Sequence, residues 1–183
     1  MPKQPSPSII TQAMMGDRQA FRSLVEDYQG FLYAVAYRYL GQAAEAEDAV
    51  QETFVKLWKN LSSYRPEVKF TTWLFKILVN HCLDVQKSSV MRAQRKQVDL
   101  EKMTQVANPT GSDLWESREI MEAITEAASQ LSGKQKMIFV LRDLQGMEVA
   151  EVCALMGVTE DQIKSNLYHA RRKISEYLRS SAP

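Results

Sequence analysis

The sequence has no long apolar run. Nothing in it approaches the roughly 20 consecutive residues that cross a bilayer, so no membrane insertion is expected. Cysteine is scarce. Two thiols allow one bridge at most, which excludes a disulfide-built scaffold. The first residues, Met1 to Pro7, lack the hydrophobic stretch of a secretory signal. The expected location is therefore cytoplasmic, with both thiols reduced. Histidine is as rare as cysteine, with only His81 and His169 present. His81 and Cys82 are neighbours, and adjacent helical side chains point about 100° apart, a poor arrangement for one metal ion. The seven glycines are scattered, so there is no phosphate-binding loop and no dinucleotide fingerprint. No nucleophile can be paired with a base by spacing. Neither catalysis nor a metal nor a cofactor is expected of this chain.

What remains is a globular composition: 183 residues, 45% apolar, with 23 Lys+Arg against 22 Asp+Glu. The net charge of +1 conceals a local asymmetry. Between Lys164 and Arg179 stand Lys164, Arg171, Arg172, Lys173 and Arg179 against the single acid Glu176. An excess of that kind over about four helical turns is the electrostatic footprint of a polyanion-binding surface.

The hydrophobic period is helical almost throughout, and no alternating strand pattern appears. Phe21, Leu24, Val25 and Tyr28 share one face, with Asp17 as the expected N-cap. Gly30 is expected to interrupt. Phe31, Leu32, Val35, Ala36 and Tyr39 then repeat the spacing up to Gly41. Val50, Phe54, Leu57, Trp58 and Leu61 form a third face. Pro66 marks a turn, and Phe70, Trp73, Leu74, Ile77 and Leu78 a fourth. This predicts an all-α fold of two small helical domains joined by a flexible linker. Residues 1–10 read as a disordered tail, 11–88 as a helical bundle, 89–115 as the linker and 116–183 as a second helical domain. As a coil the linker would span roughly 30 Å, and fully stretched about 90 Å.

The second domain ends in a recognisable unit. Val149, Val152, Cys153 and Met156 give a short apolar face, Gly157 a tight turn, and Thr159 or Glu160 the start of a long helix. Ile163, Leu167, Ala170, Ile174 and Leu178 face inward on that helix. This is helix-turn-helix spacing. Cys153 reads as a small buried hydrophobe where the two helices approach. The outer face of the long helix carries Lys164, Ser165, Tyr168, His169 and Arg172, with Arg171 beside them. These residue types neutralise phosphates and read base edges in a major groove, and they suit a solvated basic helix as well.

Two further constellations stand upstream. From Tyr64 to Asn80, aromatics alternate with cations and amides: Tyr64, Arg65, Lys69, Thr72, Trp73, Lys76 and Asn80. Cations that track phosphate, a ring that stacks and an amide that meets a Watson–Crick edge are what an unpaired base requires. The same residues also read as a surface loop over a core. From Glu47 to Lys59, Asp48, Gln51, Glu52, Val55 and Lys56 lie on the outer face of a helix. An apolar Val55 among paired charges suits a helical partner, and equally a solvated face.

In this order the three blocks resemble an RNA polymerase sigma factor of the extracytoplasmic-function group. Asp48 to Phe54 is similar to the region-two helix that grips the β′ clamp helices of core RNA polymerase. Phe70 to Ile77 is similar to the motif that opens the minus-ten recognition helix. Gly157 to Arg172 is similar to the region-four recognition helix. The resemblance implies polymerase contact by Asp48, Gln51, Glu52, Val55 and Lys56. It implies minus-ten contact by Tyr64, Arg65, Lys69, Thr72, Trp73, Lys76 and Asn80, with Asn80 in a pocket for a flipped base. It implies minus-thirty-five contact by Lys164, Ser165, Tyr168, His169, Arg171 and Arg172. His169 departs from the Arg common at that position. The partners implied are core RNA polymerase (β′ clamp helices and β flap), promoter DNA and an anti-sigma factor. The alternatives are a stand-alone helix-turn-helix regulator and a helical adaptor that binds only protein; neither gives the Asp48–Phe54 and Phe70–Ile77 blocks a role.

Overall fold

In the computed structural model, residues 2–95 and 123–181 are described, and all regular structure among them is helical. The order is α1 (Pro7–Met14), α2 (Arg18–Leu40), α3 (Ala43–Asn60), a single 3-10 turn (Leu61–Ser63), α4 (Phe70–Arg95), α5 (123–128), α6 (Gly133–Phe139) running into a π-helical turn (Val140–Leu144), α7 (Val149–Met156) and α8 (Glu160–Ser181).

Local chemistry sets the ends. Asp17 Oδ1 accepts from the amides of Gln19 (2.8 Å) and Ala20 (3.1 Å), which opens α2. Gly41 closes it at φ +81°, its amide donating to the Tyr37 carbonyl at 2.8 Å. Gly30 does not interrupt this helix, which runs unbroken for 23 residues. A lone glycine costs about 1 kcal/mol in a helix interior. Leu24, Tyr28, Leu32, Val35 and Tyr39 keep one buried stripe in phase across it, and burying five large side chains outweighs that cost.

The opening residues differ from the expected disordered tail. Ser6 caps α1 through the Ile9 amide, Pro7 occupies its first turn, and Ile10 and Ala13 are buried. Upstream of α1, the Lys3 carbonyl accepts from the Tyr28 hydroxyl at 2.6 Å. Gln4 Oε1 accepts from the Thr71 amide (3.3 Å) and the Thr71 hydroxyl (3.1 Å). The chain start thus caps the first turn of α4, where orphan amides need acceptors.

The expected linker also begins late. Residues 89–95 continue α4, and the rest of the 89–115 stretch lies outside the described residues. In the second unit, Ser132 and Gln135 form a reciprocal capping box that starts α6. Thr159 and Gln162 do the same for α8. Gly157 supplies the α7–α8 turn at φ +63°. Cys153 is only half-buried, contrary to its reading as a buried hydrophobe; Val152 and Leu155 are the buried residues of α7.

One apolar core runs from Ile10 through α2, α3 and α4 into Leu141, Met147, Val152, Leu155 and Ile163 of the second unit. A smaller cluster of Ala127, Leu131, Phe139, Ala170 and Ile174 ties α5, α6 and α8 together. The two units are therefore packed on each other, with α4 lying against α6 and α7.

Candidate nucleic-acid interface

The loop between the 3-10 turn and α4 is built on an aromatic cluster. Tyr64 packs against Phe70 (5.6 Å between ring centroids) and Trp73 (5.4 Å), and Phe70 against Tyr28 (6.0 Å). Arg65 to Val68 forms a turn around Pro66, with the Val68 amide donating to the Arg65 carbonyl at 3.3 Å. The Tyr64 hydroxyl donates to the Val68 carbonyl at 2.7 Å, and only 7% of the residue is exposed. This corrects the expectation that its ring is free to stack on a base. Tyr64 pins the loop from beneath, because the cluster offers it more apolar contact than solvent does. Burial, and then the nearby Glu67 charge, raises its phenol pKa.

Of the other residues of this block, Arg65, Lys69, Lys76 and Asn80 lie outward. Lys69, Lys76 and Asn80 are exposed, and Thr72 and Trp73 half-buried. Spacings of four, three and four residues put Lys69, Trp73, Lys76 and Asn80 on one stripe about 16 Å long. Arg65 is exposed in the loop before α4. Trp73 and Ile77 are only half-buried, whereas Leu74, Phe75, Leu78 and Val79 face the core.

On α3, Asp48, Gln51, Glu52, Val55 and Lys56 form a second stripe at i, i+3, i+4, i+7 and i+8, with Ala49, Val50, Phe54 and Leu57 buried behind. Val55 is 43% exposed. Lys56 Nζ lies 3.8 Å from Glu52 and 3.3 Å from His81 Nδ1 on α4. Burial, and then the Lys56 charge, holds the His81 pKa below its usual value, so the neutral ring accepts from the ammonium. Trp58 is not a core residue. It is 41% exposed and lies edge-on against Phe21 at 4.7 Å. Periodicity alone does not separate it from Leu57, its neighbour on the helix.

On α8, Lys164, Ser165, Tyr168, His169, Arg171 and Arg172 are all exposed, Tyr168 by 64%. Ile163, Leu167, Ala170 and Ile174 are buried behind them. An open groove of about 560 Å³ along α8 is lined by the cations Arg142, Lys164, Arg171 and Arg172 and by Val149, Ile163, Leu167 and Tyr168. The cations are not equivalent. Arg171 makes a two-pronged bond to Asp143, at 2.7 Å from both Nε and Nη2, and its pKa is raised by that partner. Lys164 and Arg172 make looser pairs with Asp161 (3.8 Å) and Glu176 (3.4 Å), all on the surface. Asp143 lies 28 residues from Arg171 in the sequence, and nothing in the spacing points to it.

Basic, outward-facing helices with a rigid apolar backing suit nucleic acid better than a small substrate. Two family models match the chain: Sigma-70 region 2 over residues 24–96, and Sigma-70, region 4 over residues 121–174, together more than two thirds of it. The chain is similar to the ECF RNA polymerase sigma factor SigW of Bacillus subtilis (strain 168), 26% identical over 93% of this chain and 95% of that protein. It is similar to the ECF RNA polymerase sigma-E factor of Escherichia coli (strain K12), 27% identical over 91% of this chain and 90% of that one. A solved structure of the sigma factor RpoE in complex with the anti-sigma factor NepR from Bartonella quintana matches with a TM-score of 0.69. That chain is 25% identical, and the match covers 88% of this chain and 98% of its own.

Proposed function

The chain belongs to the sigma-70 family of RNA polymerase initiation factors, in its extracytoplasmic-function group, and we propose that its three exposed stripes divide the work of promoter recognition. The α3 stripe from Asp48 to Lys56 docks on the clamp helices of core RNA polymerase. The α8 stripe enters the major groove of the minus-thirty-five element: Lys164, Ser165, Tyr168 and His169 reach bases, and Arg172 reaches phosphate. The α4 stripe takes the minus-ten element, with Lys69 and Lys76 on phosphates, Trp73 against an unstacked base and Asn80 on its edge. Unstacking a base costs a few kcal/mol, and contacts of this kind offset it. No bond is made or broken by this chain; the polymerase supplies the chemistry. An anti-sigma factor holds the chain inactive, a reading supported by the similar RpoE, whose structure is a complex with the anti-sigma factor NepR.

The observation that supports this reading most is the separation of roles by face. Each stripe lies, exposed or half-buried, on the outer side of a helix whose inner side is core. Val55 gives a clean test of the polymerase contact. It is 43% exposed, so Val55→Asp leaves the fold intact. Titration of the labelled chain into core polymerase should show at least a tenfold weaker Kd, about 1.4 kcal/mol, at unchanged Tm. An unchanged Kd contradicts the assigned docking face.

A further inference from the structure

Helix α4 is headed by a residue that cannot cap it. The Lys69 carbonyl accepts from the Trp73 amide at 3.0 Å, which makes Lys69 the N-cap of a helix that starts at Phe70. An ammonium carries donors and no acceptor, so its side chain leaves the first-turn amides unanswered. Its charge also opposes the positive end of the helix dipole. By contrast α2, α6 and α8 are opened by acceptors at their own N-caps, Asp17, Ser132 and Thr159. At α4 the acceptor comes from 67 residues away: Gln4 Oε1 takes the Thr71 amide and the Thr71 hydroxyl. Gln4 is itself held. The Lys3 carbonyl accepts from the Tyr28 hydroxyl, Ser6 opens α1, and Ile10 and Ala13 anchor that helix in the core. Pro2, Pro5 and Pro7 restrict the segment, which reduces the entropy lost on ordering it. Both attachment points adjoin one aromatic cluster: Thr71 follows Phe70 in the chain, Tyr28 packs on Phe70, and Phe70 lies 6.3 Å from Trp73.

We propose that Gln4 is a positioning residue for minus-ten recognition: it caps α4 remotely and so allows a cation, Lys69, to stand at the head of the reading helix. The inference rests on the promoter-recognition reading above. A capping side chain in place of Lys69 would close the turn locally but would take a phosphate-binding charge off the α4 stripe. With Gln4 in place the helix has both a closed first turn and an exposed cation at its start. Thr72 and Trp73 belong to that turn. When it frays, Lys69, Thr72 and Trp73 lose their fixed spacing from Lys76 and Asn80. The apparent affinity for an unpaired strand then falls with the fraction of chains whose turn is formed. Gln4 touches no base in this account; it acts through Thr71.

Two full-length variants separate the acceptor from the stem. Gln4→Met keeps the stem and removes the acceptor. Gln4→Glu keeps the acceptor and adds a charge suited to a helix N-terminus. The probe is a fluorescent single-stranded oligonucleotide carrying the minus-ten sequence found upstream of start sites that the parent chain creates. It is titrated into holoenzyme well below Tm, where every variant is folded and a merely structural role leaves the affinity unchanged. Gln4→Met should bind it about fivefold more weakly, the equivalent of one lost N-cap. Gln4→Glu should bind it like the parent, and the Kd for core polymerase should stay the same for both. Thermal unfolding tests the cap itself. Gln4→Met should lower Tm by about 4–8 °C in the parent and by less than half of that beside Lys69→Asp, which supplies a local acceptor. Equal binding by Gln4→Met, or an equal loss with Gln4→Glu, overturns the positioning role. A Tm loss undiminished by Lys69→Asp overturns the remote cap. If the parent chain creates no start sites, the promoter-recognition reading falls and the positioning role with it, while the unfolding cycle still decides the cap.

Discussion

Tyr64 separates a base-stacking ring from a structural one. Its ring lies within 5.6 Å of Phe70 and 5.4 Å of Trp73, and its hydroxyl donates to Val68. Tyr64→Phe keeps the ring and removes one hydrogen bond, a loss of about 1 kcal/mol. For a unit of this size that lowers Tm by about 4–8 °C. Tyr64→Ala removes the ring and leaves a hole in the cluster, a loss of about 3–5 kcal/mol. Against a typical domain's stability of about 5–15 kcal/mol, that is from about a fifth of it to all of it. The assay is urea unfolding followed by tryptophan fluorescence, run beside promoter opening near room temperature. The Phe variant should open promoters normally while it remains folded, and the Ala variant should lose activity in step with its folded fraction. A Tyr64→Ala chain with parental stability and no promoter opening would refute the reasoning and return the ring to the nucleic acid.

Two other perturbations probe the same helices. Burial pushes the Tyr28 phenol up to about 12, with Asp27 adding to the effect, and pushes the Cys82 thiol up to about 12. Both folded-state values are raised, so the folded chain keeps protons that the unfolded chain releases. Their contribution is complete below the unfolded values near pH 9–10 and is lost as the pH climbs towards 12, at up to about 1.4 kcal/mol per pH unit for each group. Urea midpoints measured from about pH 8 to 11 should fall over that window, and Tyr28→Phe should flatten the fall. The Asp143–Arg171 pair should show a coupling of about 0.5–1 kcal/mol in a double-mutant cycle read by thermal unfolding, since Arg171 is largely exposed; zero coupling would make Arg171 free to contact DNA.

Helical class, the faces of α3 and α8, and the Asp17, Gly41 and Gly157 boundaries are legible in the sequence because each depends on local chemistry: period, cap and left-handed turn. The start of α1 is legible in principle, since Ser6-Pro7 is a helix-opening pair. The surrounding prolines obscure it, and the Gln4–Thr71 bond spans 67 residues. Gly30 shows burial overriding propensity. Tyr64 escapes sequence reasoning because an aromatic in a basic loop looks the same whether it stacks inward or outward. The packing of the two units on each other, and the Asp143 partner of Arg171, depend on long-range pairing that no spacing rule carries.

If this chain directs core RNA polymerase to two-part promoters, it should create start sites that the core enzyme lacks. The most direct measurement adds the purified chain to core polymerase with fragmented genomic DNA and sequences the run-off transcripts. Discrete new start sites are expected, each preceded by a shared pair of elements about two turns apart. They should disappear with Asn80→Ala, which leaves duplex contacts by α8 intact. Starts that do not depend on the added chain, or duplex binding by the chain alone with no transcripts, would contradict the promoter-recognition reading.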